Sequence, residues 1–264
     1  MGGLHCGMSQ KVKLAERIVY ASKATRIARA SRLGIVVSAI LTFLIFAISY
    51  YGQVVGNFTF SVDRLAQNAF ITLYDDAEIK NYSSRLIAAR VDNADGMTGL
   101  CGTEFSYFPI GHEVCIPSDE EIGSVDGSNN GASYIAYTFY VENAGDLVVD
   151  LNATVNIISA SKGAEEALRV RVIFDGQSTT YAKPQSPKGE SPGELEPLTE
   201  AFYSIDKVMY QEFNGFLPKD VIKVTIIIWY EGEDADHTIN LWGGGVKLDM
   251  QFSIGRVYTE DETA

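Results

Sequence analysis

Residues Ile222 to Glu231 read IKVTIIIWYE, and this stretch decides the fold. Most of its residues are β-branched or aromatic, the types that fit a pleated and buried surface. Ile222, Val224, Ile226, Ile228 and Tyr230 recur with period 2, so they share one face, and the opposite face is scarcely more polar. The expectation is a central strand of a sheet, with apolar material on both sides.

Working outward, the same period recurs along most of the chain. Phe58, Phe60 and Val62 alternate with Thr59, Ser61 and Asp63. Leu147, Val149, Leu151, Ala153, Val155 and Ile157 alternate mainly with polar residues, and so do Ile135, Tyr137, Phe139 and Val141. Near the C-terminus, Val246, Leu248, Met250, Phe252 and Ile254 are set against Lys247, Asp249, Gln251 and Ser253. Further strands are expected at Phe70 to Tyr74, Leu86 to Val91, Leu168 to Phe174 and Lys207 to Phe213. Turns fall at Glu142 to Asp146, at Asp175-Gly176 and at Trp242 to Gly245. Short strands with no long helical pattern between them predict an all-β domain, an antiparallel β-sandwich that is jelly-roll-like. Two stretches break the pattern. Met97 to Gly131 predicts a long excursion, and Lys183 to Pro197, with four of the seven prolines, an exposed and mobile loop.

The charge is uneven. Residues 1–56 carry seven basic residues and one acidic residue, whereas residues 57–264 carry 14 basic and 33 acidic, a formal net of −19. A domain that acidic repels phosphates, which excludes nucleic acid as its partner. From Leu33 to Tyr51 the chain runs 19 residues without a charge, long enough to cross most or all of a hydrocarbon core. The basic cluster lies before this run and none follows it. The positive-inside bias therefore predicts a cytoplasmic N-terminus and an exported C-terminal domain. A cleavable signal peptide is the competing reading, but the basic region exceeds 30 residues and the apolar run is longer than the usual 7–15, which favours a retained anchor. The expected organisation is a basic cytoplasmic tail (1–32), a transmembrane helix (33–55), an extracytoplasmic sandwich (56–256) and an acidic C-terminal tail (257–264).

Cys101 and Cys115 both lie in the first excursion, on the side expected to be oxidising, and a disulfide closing that loop is the simplest reading. A zinc ion shared by Cys101, His112 and Cys115 would lack a fourth ligand at recognisable spacing. Glu231, Glu233, Asp234 and Asp236 are candidate calcium ligands, set against the simpler reading of a solvated acidic connection, because their spacing is not that of an EF-hand loop. No zinc-protease pattern or nucleophile elbow occurs, so no catalytic residue, no cofactor and no enzymatic activity are assigned.

The run Phe139-Tyr140-Val141-Glu142-Asn143-Ala144-Gly145-Asp146-Leu147, followed by an alternating strand, resembles the F-x-[VF]-x-N-x-G pattern of TasA/camelysin-like bacterial surface and biofilm-matrix proteins. The closing strand Val246 to Ile254 sits in a similar place. The resemblance implies a jelly-roll-type sandwich exported behind an apolar segment. Camelysin's protease activity does not carry over, because no zinc motif is present.

The expected function is that of a membrane-anchored cell-surface structural or interaction protein in matrix, envelope or adhesion. Its partners would be the lipid bilayer through residues 33–55 and proteins or polysaccharides at the surface, with self-association a further option. The alternative is a carbohydrate- or calcium-dependent binding module using Trp229 and Trp242 as exposed aromatics; an envelope hydrolase ranks last.

Overall fold

The computed structural model describes residues 34–45, 58–187 and 193–258, and the chain divides into two units at Val55/Gly56. In the first unit, residues 34–45 form helix α1, along which Thr42 Oγ1 donates to Ser38 O at 2.9 Å. Its apolar side chains are exposed all round. No helix among the described residues is long and apolar enough to cross a membrane. The remainder of the expected span, at 33 and 46–55, lies outside the described residues, as do the basic tail and residues 259–264.

In the second unit the described residues form twelve strands in two sheets. The first sheet has the order β10 (Lys207–Phe216), β6 (Val149–Ser161), β12 (Gly245–Val257), β1 (Phe58–Val62), β3 (Arg85–Ala88). The second runs β2 (Ile71–Tyr74), β5 (Tyr134–Asn143), β11 (Val221–Tyr230), β7 (Leu168–Phe174), β8 (Gln177–Ala182), β9 (Glu200–Ala201), with β4 (Gly127–Ser128) also paired to β5. The inner faces meet in one apolar core. Phe58, Phe60, Leu151, Val155, Met250 and Phe252 from the first sheet pack with Tyr137, Phe139, Val170, Val224 and Ile226 from the second. Large residues face small ones across the first sheet, as where Phe252 is opposite Ala153. Phe60 stacks on Tyr137 at a centroid distance of 4.8 Å and tilts against Phe139 at 4.4 Å. Such contacts add to area burial and fix one packing of the two sheets.

The central-strand expectation for residues 222–231 holds: β11 pairs with β5 on one side and β7 on the other. Its second apolar face is covered by the 97–131 excursion, in which Met97, Ile116 and Ile122 pack on Ile227, Trp229, Ala136 and Ile173. This explains why both faces are apolar. Within the excursion α3 (Asp119–Gly123) is capped by Ser118, whose side chain accepts from Glu121 N.

Several expectations need correction. The sheets are not wholly antiparallel, since β1 pairs with β12 and β8 with β9 in parallel. β3 is shorter than expected, and β8, with its polar QSTTYA sequence, gave no apolar alternation to read. Phe70 does not begin a strand. It follows α2 (Arg64–Asn68) with φ of 62° and is exposed, because the chain must turn there into β2. The β7–β8 hairpin does close on Asp175-Gly176, with φ values of 48° and 87°, the double left-handed geometry of a type I′ turn.

The registers sort the loops to two ends. β1 begins beside the first residues of β12, with Thr59 opposite Asp249, and β12 begins where β6 and β11 end. The β1-start end therefore carries the long connections: the excursion after β3, the β6–β7 loop, the described parts of 183–206 and the 231–244 loop. The opposite end carries the tight turns.

Cys101 and Cys115 form the disulfide, with Cα atoms 5.9 Å apart. Replacing both with serine should lower the unfolding free energy by at most about 3 kcal/mol and red-shift the emission of Trp229, which the excursion covers. Urea unfolding of the full chain in detergent reads both; an unchanged midpoint would mean that the loop opens independently of the sandwich.

Candidate functional site

The polar side chains that could do chemistry gather on the outer face of the second sheet at the β1-start end. The sequence of β7, LRVRVIF, puts Arg169 and Arg171 on that face, while Leu168, Val170 and Val172 face the core. Neighbouring strands bring Trp229 opposite Arg169 and Thr180 opposite Arg171.

Arg171 lines a shallow groove of about 670 Å³ with Asp119, Glu120, Thr180, Thr199 and Glu200. Its Nε donates to Thr180 Oγ1 at 2.9 Å, its Nη1 donates to Asp119 Oδ1 at 3.0 Å, and the guanidinium lies 5.3 Å from the Trp229 ring. This stack leaves little of the cation free for an anionic ligand.

Arg169 lies deeper. Its Nη2 is 3.0 Å from Glu196 Oε2 and its Nη1 2.8 Å from Asp234 Oδ2, and all three side chains are at most 4% exposed. Nη1 also donates to Leu168 O, so Asp234 Oδ2 gains the charge contact without a well-aligned bond, and Glu196 Oε1 has no partner. Burial, then repulsion from Asp234, pushes the Glu196 carboxyl above its usual range against the pull of Arg169. Glu196 belongs to the proline-rich segment expected to be an exposed loop. Among its described residues Ser186, Pro187, Glu194 and Leu195 are exposed as expected, while Glu196 reaches back onto the sheet.

The acidic 231–237 connection, expected as a solvated loop or a calcium site, turns much of its charge inward. Glu231, 1% exposed, accepts from Trp229 Nε1 and from Gly99 N, each at 3.0 Å. Glu233 accepts from Thr98 Oγ1, Asp234 takes Arg169 and the amide of Asp236, and Asp236 accepts from Ser186 N at 2.8 Å. Each carboxylate has a different partner. Among the described residues no three His, Cys, Asp or Glu side chains are placed to hold a metal ion.

The remaining candidates are equally committed. Cys101 and Cys115 spend their sulfurs on each other, His112 lies against the Phe108 ring at 4.7 Å, and His237 Nδ1 is 2.7 Å from Glu231 O. Trp229 is buried and Trp242 exposed, so the two do not form one aromatic platform. A second polar cluster lies on the outer face of β5. There Tyr140 stacks on Tyr74, and Lys80 pairs with Glu142 at 2.8 Å. Burial, helped by its bond to Asp126, pushes the Tyr140 phenol up to about 12.

Sequence reasoning missed Arg169, Arg171, Asp119 and Glu196. The signal available was two arginines at alternate positions of one strand, LRVRVIF, but nothing in the order of residues says that 193–200 returns to cover them. Comparison with family models, with curated proteins and with solved structures finds no match for this chain.

Proposed function

We propose that the chain is a membrane-anchored cell-surface protein with a structural or interaction role, held single-pass with the N-terminus cytoplasmic and a jelly-roll-like sandwich outside. The observation that carries this reading is the uncharged run 33–51 behind a basic flank, ahead of an acidic, disulfide-bearing β domain. It is supported by α1, whose apolar side chains are exposed on every side, as suits a helix in lipid rather than one edge of a protein core. The resemblance to TasA/camelysin-like surface proteins points the same way, toward matrix, envelope or adhesion. No catalytic role is assigned.

A second reading, a saccharide-binding module, is favoured by the groove, where the hydroxyls of Ser178, Thr180 and Thr199 lie among carboxylates. It would use polar contacts rather than stacking.

Protease added to intact cells should digest the sandwich and leave an N-terminal membrane fragment. Protection on cells with digestion in lysates would rule out the topology. Crosslinking on intact cells then distinguishes protein partners from polysaccharide.

A further inference from the structure

The chain enters the sandwich at the start of β1, a short connection after the apolar run. Six residues, 52–57, separate Tyr51 from Phe58. Fully extended, that connection spans at most about 25 Å. Thr59 is paired with Asp249, four residues into β12, so the start of β12 lies roughly 13 Å beyond Thr59 on the side from which the chain arrives. A connection of that length reaches at most about 10 Å beyond the start of β12.

Loops at the β1-start end expose several large apolar side chains. The 231–244 loop, which leads directly into β12, exposes Ile239 and Trp242, each at 72%. Ile205, just before β10, is 93% exposed. The disulfide loop presents Tyr107 at 99% and Ile110 at 85%, and it is tied to the 231–244 loop through Thr98 and Glu233. Indole and phenol rings favour the headgroup layer, where one part of the ring is wet and the other is not. Of the acidic residues at this end, Glu231, Asp234 and Glu196 are buried, whereas Glu104 and Glu113 in the disulfide loop and Asp206 beside Ile205 are exposed, so the contact suits a zwitterionic rather than an anionic headgroup layer.

We propose that the 231–244 loop, with the disulfide loop and Ile205 beside it, is a bilayer-docking surface that seats the sandwich on the outer headgroup layer through Trp242 and Ile239. The proposal rests on the anchored reading and adds to it a fixed orientation. The end with the tight turns then faces outward.

The chain's two tryptophans make the test direct, since Trp229 is buried and Trp242 exposed. The full chain is reconstituted into phosphatidylcholine vesicles, with and without phosphatidylcholine brominated near the headgroup. Co-flotation of the chain, with loss of tryptophan emission on bromination that W242F abolishes, is the expected result. Tyr107→Trp in the W242F background should restore the loss. Co-flotation without quenching overturns the docking surface and leaves the anchor standing. Failure to co-float overturns the anchored reading and this proposal with it. Quenching that survives in W242F reports on Trp229 and overturns the proposal too. A Trp242 signal that instead follows protein concentration in detergent would mean that a second copy covers the face, against the proposal.

Discussion

Arg169→Met is expected to lower the unfolding free energy by about 3–5 kcal/mol at neutral pH, the cost of leaving buried charge uncompensated. The arginine is the cation within 3.0 Å of both Glu196 and Asp234, and neither carboxylate can turn to solvent, their side chains being 4% and 0% exposed. Methionine keeps the stem and removes the charge. Adding Glu196→Gln and Asp234→Asn to that variant should recover most of the loss, because no buried ion then remains. Urea unfolding followed by Trp229 emission measures each step. A loss below about 1 kcal/mol for the single variant would place the cluster with ordinary solvated surface pairs.

The same cluster sets a pH dependence whose sign follows from Glu196. Its carboxyl is held above the usual range in the folded chain, so the folded state binds this proton more tightly than the unfolded state does. The stability that protonation confers is full below the unfolded carboxyl value of about 4.3 and is lost as pH rises through the folded value. E196Q should flatten that fall. R169M should steepen it, since the arginine is what draws the carboxyl back toward its usual range. Melting temperatures across mildly acidic pH separate the two, and parallel profiles for wild type and E196Q would remove Glu196 as the titrating group.

How far the sequence could be read depended on whether a residue's environment is local. Strands such as 222–230 and 168–174 were legible because period-2 alternation reports a buried face directly, and Asp175-Gly176 because a two-residue turn with two positive φ values needs those residue types. β8 was not legible, since its outer face is polar and its inner residues are few. The parallel pairing of β1 with β12 was invisible for a different reason, because partners 190 residues apart leave no local mark. The disulfide could be read from two cysteines in one loop. The Arg169 cluster could not, because its three members come from β7, the proline-rich segment and the β11–β12 loop. The acidic loop misled in an instructive way: its composition is that of a solvated turn, and only its contacts show Glu231 bonded to an indole.

Asn143→Ala should cost about 3 kcal/mol, since it strands the buried Phe216 carbonyl and Gly145 amide. Asn143 is wholly buried, and its Nδ2 donates to Leu147 O at 2.9 Å and to Phe216 O at 3.0 Å, while its Oδ1 accepts from Gly145 N at 3.1 Å. Its backbone accepts from Lys219 N and donates to Asp220 O. One side chain thus ties the β5–β6 turn to the end of β10. Gly145 is bound to the same arrangement, because a Cβ there would sit 2.5 Å from Ala69 O, a backbone atom that cannot swing aside. The Asn-x-Gly element therefore has a packing reason at both positions. Gly145→Ala should destabilise as well, and the double variant by less than the sum, since both open one turn. Full additivity in a double-mutant cycle, or a loss for Asn143→Ala below about 1 kcal/mol, would mean that the two turns hold without this residue and that the motif must be explained some other way.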